Sequence, residues 1–263
     1  MIKSIDIIKY KIRFSDQGDG AVLVILHGYL EAIETFDAIA CELAKSTRVI
    51  SIDLPGHGKS DLKQDQVSVE DMADAVYAVI QHLDINKIHL MGHSMGGYVA
   101  LAFADKYADN LASFSFLHSS ANADTEEKRA NRGREIEFIR KGKKDLICTT
   151  AIPNTFSNKN REAFSYEIDA LIEIALYTKD EGMIAALNAM MIRPDRNEML
   201  RELSVPKYSF IGKEDNFIPF EKGVEWAQKN GMQPIIFDYS GHMSFIEEKE
   251  KCIEAVLSIL EDL

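Results

Sequence analysis

Lys87-Ile-His-Leu-Met-Gly-His-Ser-Met-Gly-Gly-Tyr-Val-Ala-Leu-Ala-Phe-Ala-Asp-Lys-Tyr107 decides the fold class. Lys87 to Met91 reads as a short buried strand, and Met95 to Tyr107 has helical spacing. Gly92-His-Ser-Met-Gly96 lies at the junction. A serine at the tip of a strand-to-helix turn needs strained backbone, and neighbouring segments then approach so closely that the positions two before and two after it cannot carry a Cβ. Gly96, Gly97, Ala100 and Ala104 keep one helical stripe small, so that the helix can lie close to a sheet. Its first amide, from Met95, points to where an oxyanion would form, and the helix N-terminus adds positive potential there.

Working outward, short apolar runs alternate with helical patterns. Ile5 to Phe14 reads as an N-terminal strand of period two. Ala21 to Leu26, Arg48 to Asp53, Ser113 to Leu117, Lys207 to Ile211 and Ile235 to Tyr239 read as further strands. Helices are expected over Glu34–Lys45, Val69–Leu83, Glu221–Lys229 and Glu247–Leu260. This succession predicts an α/β fold with a mostly parallel central sheet and helices on both faces. Between Asn122 and Leu203 no strand pattern occurs. Helical spacing recurs at Ile136/Ile139, Phe164/Ile168/Leu171/Ala175 and Met183/Leu187/Met190, with one more short helix at Asp195–Leu203. No Gly/Ser/Pro-rich linker flanks the stretch, so 122–203 reads as a helical insertion packed on a core of 1–121 and 204–263 rather than as an independent domain.

The serine needs a base, an acid that orients the base, and a second oxyanion donor. His27-Gly28-Tyr29 follows the first buried strand, and the Tyr29 amide is the candidate donor. Ile211-Gly212-Lys213-Glu214-Asp215 ends a late strand. Both carboxylates suit the chemistry; Asp215 is preferred because it lies further beyond the Gly212 turn, and Glu214 reads as a surface residue. Tyr239-Ser240-Gly241-His242 places a loop histidine ahead of the last helix. The order Ser94, Asp215, His242 differs from the chymotrypsin and subtilisin orders. His93 is expected to point away from Ser94. His57, His82 and His89 read as structural, and His118, at a strand end, as a pocket wall first and a participant second. Asp53-Leu-Pro-Gly-His-Gly-Lys-Ser60 lacks phosphate-loop spacing and reads as a structural loop in which Asp53 binds local amides.

Composition sets the outer bounds. The 263 residues are 46% hydrophobic and 27% charged, ordinary for a globular chain. Thirty Lys and Arg against 42 Asp and Glu give a net charge of −12, which disfavours nucleic acid and anionic lipid as partners. Cys41, Cys148 and Cys252 have no metal-site or redox spacing and read as reduced thiols. The N-terminus lacks an apolar signal core, and no apolar run is long enough to span a bilayer; a cytoplasmic location is the expectation.

His27-Gly28, Asp53 to Ser60, Gly92 to Gly97, Asp215 and Gly241-His242 together resemble the cap-bearing α/β-hydrolase superfamily. The resemblance runs along the whole chain except 122–203, which occupies the place of the family's cap. It implies acyl transfer on Ser94 with His242 as base, Asp215 as orienting acid and no metal or organic cofactor. Ser94 argues against the dehalogenase and epoxide-hydrolase branches, which carry Asp there. The first expectation is a small or medium acyl ester or thioester as a small-molecule substrate. A C–C hydrolase or cofactor-free lyase acting on a carboxylated substrate is the alternative, and it would want a cation in the cap such as Arg193 or Arg196. A non-catalytic ligand-binding module is the reading from another class. Met183, Met190, Met191 and Met199 suit a pliable apolar wall, although packing of the cap onto the core accounts better for most of them.

Overall fold

The fold is described by a computed structural model covering residues 1–7, 10–62 and 66–261. Among these residues eight strands form one sheet: β1 (Ile2–Ile7), β2 (Tyr10–Gln17), β3 (Val22–Leu26), β4 (Arg48–Ile52), β5 (Ile88–His93), β6 (Leu111–Leu117), β7 (Lys207–Gly212) and β8 (Gln233–Phe237). Their spatial order is β1-β2-β4-β3-β5-β6-β7-β8. From β4 to β8 every pairing is parallel. The central strands are buried on both faces because α1 (Asp37–Leu43), α2 (Val69–His82), α3 (Met95–Tyr107), α9 (Phe220–Lys229) and α11 (Lys249–Glu261) cover the sheet. Ser68 caps α2, accepting the Asp71 amide while the Asp71 carboxylate accepts the amide of Ser68.

Two expectations need correction, and one helix had no expectation. The N-terminal strand is two strands: β1 and β2 pair antiparallel, Ile2 with Ser15 through Ile7 with Tyr10. No Gly or Pro marks the reversal; the alternation changes phase there, from odd positions at Ile5 and Ile7 to even ones at Tyr10, Ile12 and Phe14, and Ile8 and Lys9, where the expected strand ran on, lie outside the described residues. The last helix is interrupted at Glu248, with α10 (Ser244–Glu247) ahead of α11. The Glu248 carboxylate accepts from the Tyr239 amide and the Ser240 hydroxyl, tying the break to the loop that carries His242. Inside 122–203 the helices are α4 (Glu126–Arg140), α5 (Lys144–Thr155), α6 (Ser165–Tyr177), α7 (Asp180–Ile192) and α8 (Asn197–Glu202). Of these, α5 had no clear periodic signal: only Cys148 and Ile152 are buried, and Pro153 lies inside it.

Parallel register brings the strand ends to one edge. Leu26 pairs with Ile52 and Gly92, His93 with Leu117, and Gly212 with Phe237. The loops holding His27 to Glu31, Asp53 to Ser60, Ser94, His118, Asp215 and His242 therefore open on the same side, where open α/β sheets bind ligands.

Asp53 braces this edge. It is fully buried and accepts the Ile33 amide at 2.9 Å, the Lys59 amide at 2.9 Å and Arg13 Nη1 at 3.0 Å. The local-amide reading holds for Lys59; the Ile33 and Arg13 bonds reach two other segments. Asp53→Ala leaves two amides unmet and the buried Arg13 guanidinium with Glu34, 2.5 Å from its Nη2, as its remaining carboxylate. We expect a loss of about 3–5 kcal/mol, read as a lowered urea midpoint at constant slope. A midpoint within experimental error of wild type would show that this network carries no net stability.

Candidate active site

Ser94 has φ +48° and ψ −113°, in the left-handed region that a residue with a side chain adopts only when its surroundings enforce it. The enforcement is local. A Cβ on Gly92 would lie 2.4 Å from the Gly96 carbonyl oxygen, and one on Gly96 only 2.3 Å from that of Leu26. The Ser94 amide donates to the Leu117 carbonyl at 3.0 Å, and the Ser94 carbonyl accepts the Ser119 hydroxyl at 2.7 Å. Strand β6 thus fixes the turn from one side and helix α3 from the other.

Asp215 and His242 are brought together. Asp215 Oδ2 accepts from His242 Nδ1 at 2.8 Å. Its Oδ1 accepts the amides of Phe217 at 2.7 Å and Ile218 at 3.1 Å, so the carboxylate cannot rotate without losing two bonds. Glu214 instead takes Lys159 Nζ at 2.6 Å on the surface. With Nδ1–H directed at Asp215, the lone pair of His242 is on Nε2. Ser94 and His242 line one cavity. Among the described residues Ser94 Oγ has no hydrogen-bond partner; in such sites the nucleophile–base bond commonly tightens only in the Michaelis complex.

Burial, the largest influence on His242, works against the imidazolium. Asp215, by charge and hydrogen bond, with Glu31 and Glu247 further off, outweighs it and moves His242 above its ordinary 6.5. Burial would raise the Asp215 carboxyl, but His242 and His118 hold it well below the usual carboxylate range.

His118 does more than line the wall. Its Nδ1 lies 3.3 Å from Asp215 Oδ2 and its Nε2 2.7 Å from Ser244 Oγ. Burial pushes it down to about 4 against the opposing pull of Asp215, so it is neutral near pH 7. Its hydrogen bond is the one between Nε2 and the Ser244 hydroxyl; Nδ1, buried, makes none among the described residues. The ligand atoms of His118, Asp215 and His242 lie within 4.8 Å of one another. Within the trio Asp215 and His242 are bonded to each other.

Tyr29 follows β3 and Met95 begins α3, which leaves the end of neighbouring β5. Among the described residues neither amide has a protein acceptor. Sequence reasoning missed the partner of the Tyr29 side chain: its hydroxyl donates to Glu135 on α4 at 2.9 Å. It also missed Phe217, whose ring is 5.1 Å from that of His242, and Glu31, described below.

The cavity around Ser94 is about 310 Å³. A second of about 290 Å³ adjoins it towards Trp226, sharing His118, Ser119, Ser120, Lys128, Phe217 and Ile218. Helices α4, α5 and α7 face the first cavity through Lys128, Arg132, Glu135, Ile152 and Met190. Met190 lines it, whereas Met183 is fully buried in packing and Met191 and Met199 pack against the core. Arg193 and Arg196 are committed elsewhere. Arg193 binds Asp124 at 2.7 Å and lies 3.7 Å over the Tyr98 ring; Arg196 pairs with Asp105 and Glu70.

A sequence model of the α/β-hydrolase fold matches residues 21–134. A thermophilic esterase from Thermogutta terrifontis, solved with malate bound, superposes with a TM-score of 0.94 at 30% identity, over 99% of this chain and 98% of that one. The chain belongs to the α/β-hydrolase superfamily. Two further relatives of this α/β hydrolase differ in how much of them it spans. It is 27% identical over 274 residues to the 2-hydroxy-6-oxononadienedioate/2-hydroxy-6-oxononatrienedioate hydrolase of Burkholderia vietnamiensis, covering 91% of that protein. It is 39% identical over 101 residues to the dihydrolipoyllysine-residue acetyltransferase component of the acetoin cleaving system of Pseudomonas putida, covering only 27% of it. The chain is a hydrolase of this fold. Among its described residues no helix is long and apolar enough to cross a membrane.

Proposed function

We propose that this α/β hydrolase cleaves a small or medium carboxylic ester or thioester through an acyl-enzyme on Ser94. The observation that carries the reading is a strained serine sharing one cavity with a histidine whose far nitrogen is locked on a buried carboxylate. His242 Nε2 takes the Ser94 proton as Oγ attacks the carbonyl carbon. The amides of Tyr29 and Met95 receive the oxyanion, and each such donor is worth about 3–4 kcal/mol in comparable sites. His242 passes the proton to the departing alkoxide or thiolate. Water, deprotonated by His242, then releases the acid and restores Ser94. Residues 122–203 act as the cap: their helices roof the cavity, and Glu135 holds the Tyr29 side chain from above.

A second reading concerns the substrate. Lys128 faces both cavities and has no ion pair among the described residues, in a protein of net charge −12. On the Ser94 cavity it, rather than Arg193 or Arg196, is the cation available to an anionic substituent. The relative with bound malate and the relative acting on dienedioates fit this chemistry. A panel of p-nitrophenyl acetate, butyrate and hemisuccinate tests both readings. We expect turnover of the acetate; a kcat/KM for hemisuccinate about tenfold above butyrate would favour the anionic substituent. No turnover of any member by folded protein would count against an acyl-transfer enzyme and favour a binding module.

A further inference from the structure

We propose that Glu31 and His93 are positioning residues that tie the oxyanion-side loop to the backbone of the base through the residue preceding the nucleophile. The inference rests on the roles just given to Ser94, His242 and the Tyr29 amide.

Glu31 is 3% exposed, and a carboxylate that deep is costly unless its oxygens are met. Its Oε2 accepts the Gly28 amide at 2.7 Å. Both oxygens straddle His93 Nδ1, Oε1 at 2.9 Å and Oε2 at 3.0 Å. On the other side of the ring, His93 Nε2 lies 3.0 Å from the carbonyl oxygen of His242. A carbonyl oxygen brings no proton, so Nε2 carries one and donates it. The contact with Glu31 needs a hydrogen as well. One proton is therefore shared between Nδ1 and the Glu31 carboxyl, and the pair is neutral in sum whichever of the two holds it. Burial would raise the Glu31 carboxyl, but His93 and the Gly28 amide hold it below its usual range.

The pair spans three reacting elements. Gly28 immediately precedes Tyr29, whose amide faces the oxyanion. His93 immediately precedes Ser94. The His242 carbonyl belongs to the base itself, and the amide of His242 is held separately by the Thr155 carbonyl at 2.6 Å. In the transition state the oxyanion and the His242 imidazolium form together, so their spacing matters, and a misplacement of about 1 Å can cost two orders of magnitude. Filling space does not account for the arrangement, because an apolar pair of the same volume would avoid the desolvation cost. The rings of Phe36 and Phe245, 6.1 and 5.0 Å from that of His93, make this end of the strut apolar, so a lost bond would not readily be replaced by water.

The test is steady-state kinetics on p-nitrophenyl acetate, normalised to the fraction of protein labelled at its nucleophile by a fluorophosphonate. Glu31→Ala should lose about 10–100-fold in kcat with KM within about twofold. Glu31→Gln can rescue the geometry: its oxygen accepts from Gly28, its NH2 donates to His93 Nδ1, and Nε2–H still reaches His242. It should stay within about threefold of wild-type kcat. The double variant E31Q/H93F cuts the link to His242 without stranding a charge, and should fall as far as Glu31→Ala. That variant also carries the test if Glu31→Ala does not fold. Wild-type kcat in E31Q/H93F, or a Gln variant as poor as the Ala variant, overturns the strut. A wild-type protein that neither turns over ester nor labels at Ser94 would instead overturn the reading of the site beneath it.

Discussion

Ser94→Ala should reduce hydrolysis of p-nitrophenyl acetate by roughly 10⁴–10⁶-fold, because the substitution removes the bond-forming atom and leaves only binding and the oxyanion amides. The backbone should not change: alanine at φ +48° meets the same constraints as serine, imposed by Gly92, Gly96 and the Leu117 carbonyl. Stability and substrate affinity should therefore stay near wild type, which separates this loss from unfolding. A fluorophosphonate should form one adduct, at Ser94, and none on the variant. Mass spectrometry placing the adduct on another residue, or finding none on folded wild type, would remove the covalent mechanism.

The turn around Ser94 was legible because steric necessity writes it into residue type. Gly92 and Gly96 have no alternative at their close approaches, and the small stripe on α3 follows from the same packing. That Asp215 rather than Glu214 would reach His242 was read from its place relative to the Gly212 turn; in the fold Asp215 does meet His242, and the Phe217 and Ile218 amides hold its carboxylate. What escaped depends on contacts between distant segments. Glu31 has no motif of its own, and its meaning comes from His93, 62 positions away, which the register of β3 beside β5 brings within 3.0 Å. Arg193 and Arg196 looked available because a sequence shows charge without direction, and in the fold each is held by carboxylates. Helix α5 was not legible because its outer faces are exposed and it has little periodic pattern to read.

Asp215→Asn should lower kcat/KM by about 10³–10⁴-fold, whereas Glu214→Gln should change it less than about threefold. The carboxamide can keep its oxygen on the Phe217 and Ile218 amides. Its NH2 then occupies the position of Oδ2 and faces His242 Nδ1 as a donor. Nδ1 must accept, the ring proton moves to Nε2, and the nitrogen next to Ser94 can no longer take a proton. The pH profile adds an independent sign. In the wild type kcat/KM rises as His242 loses its proton, and the limb should lie above the ordinary histidine value of 6.5, because the carboxylates facing the ring outweigh burial. Those carboxylates are Asp215 after β7, Glu31 beneath, where it is paired with His93, and Glu247 on α10; the His118 ring after β6 also faces His242. Removing the Asp215 charge leaves burial with weaker opposition. The limb should therefore move to lower pH even as the plateau falls, a combination that mere loosening of the site would not produce. A plateau loss with the limb unmoved would mean that Asp215 orients His242 without setting its basicity; a profile flat from pH 5 to 9 in the wild type, with chemistry rate-limiting, would remove His242 as the base.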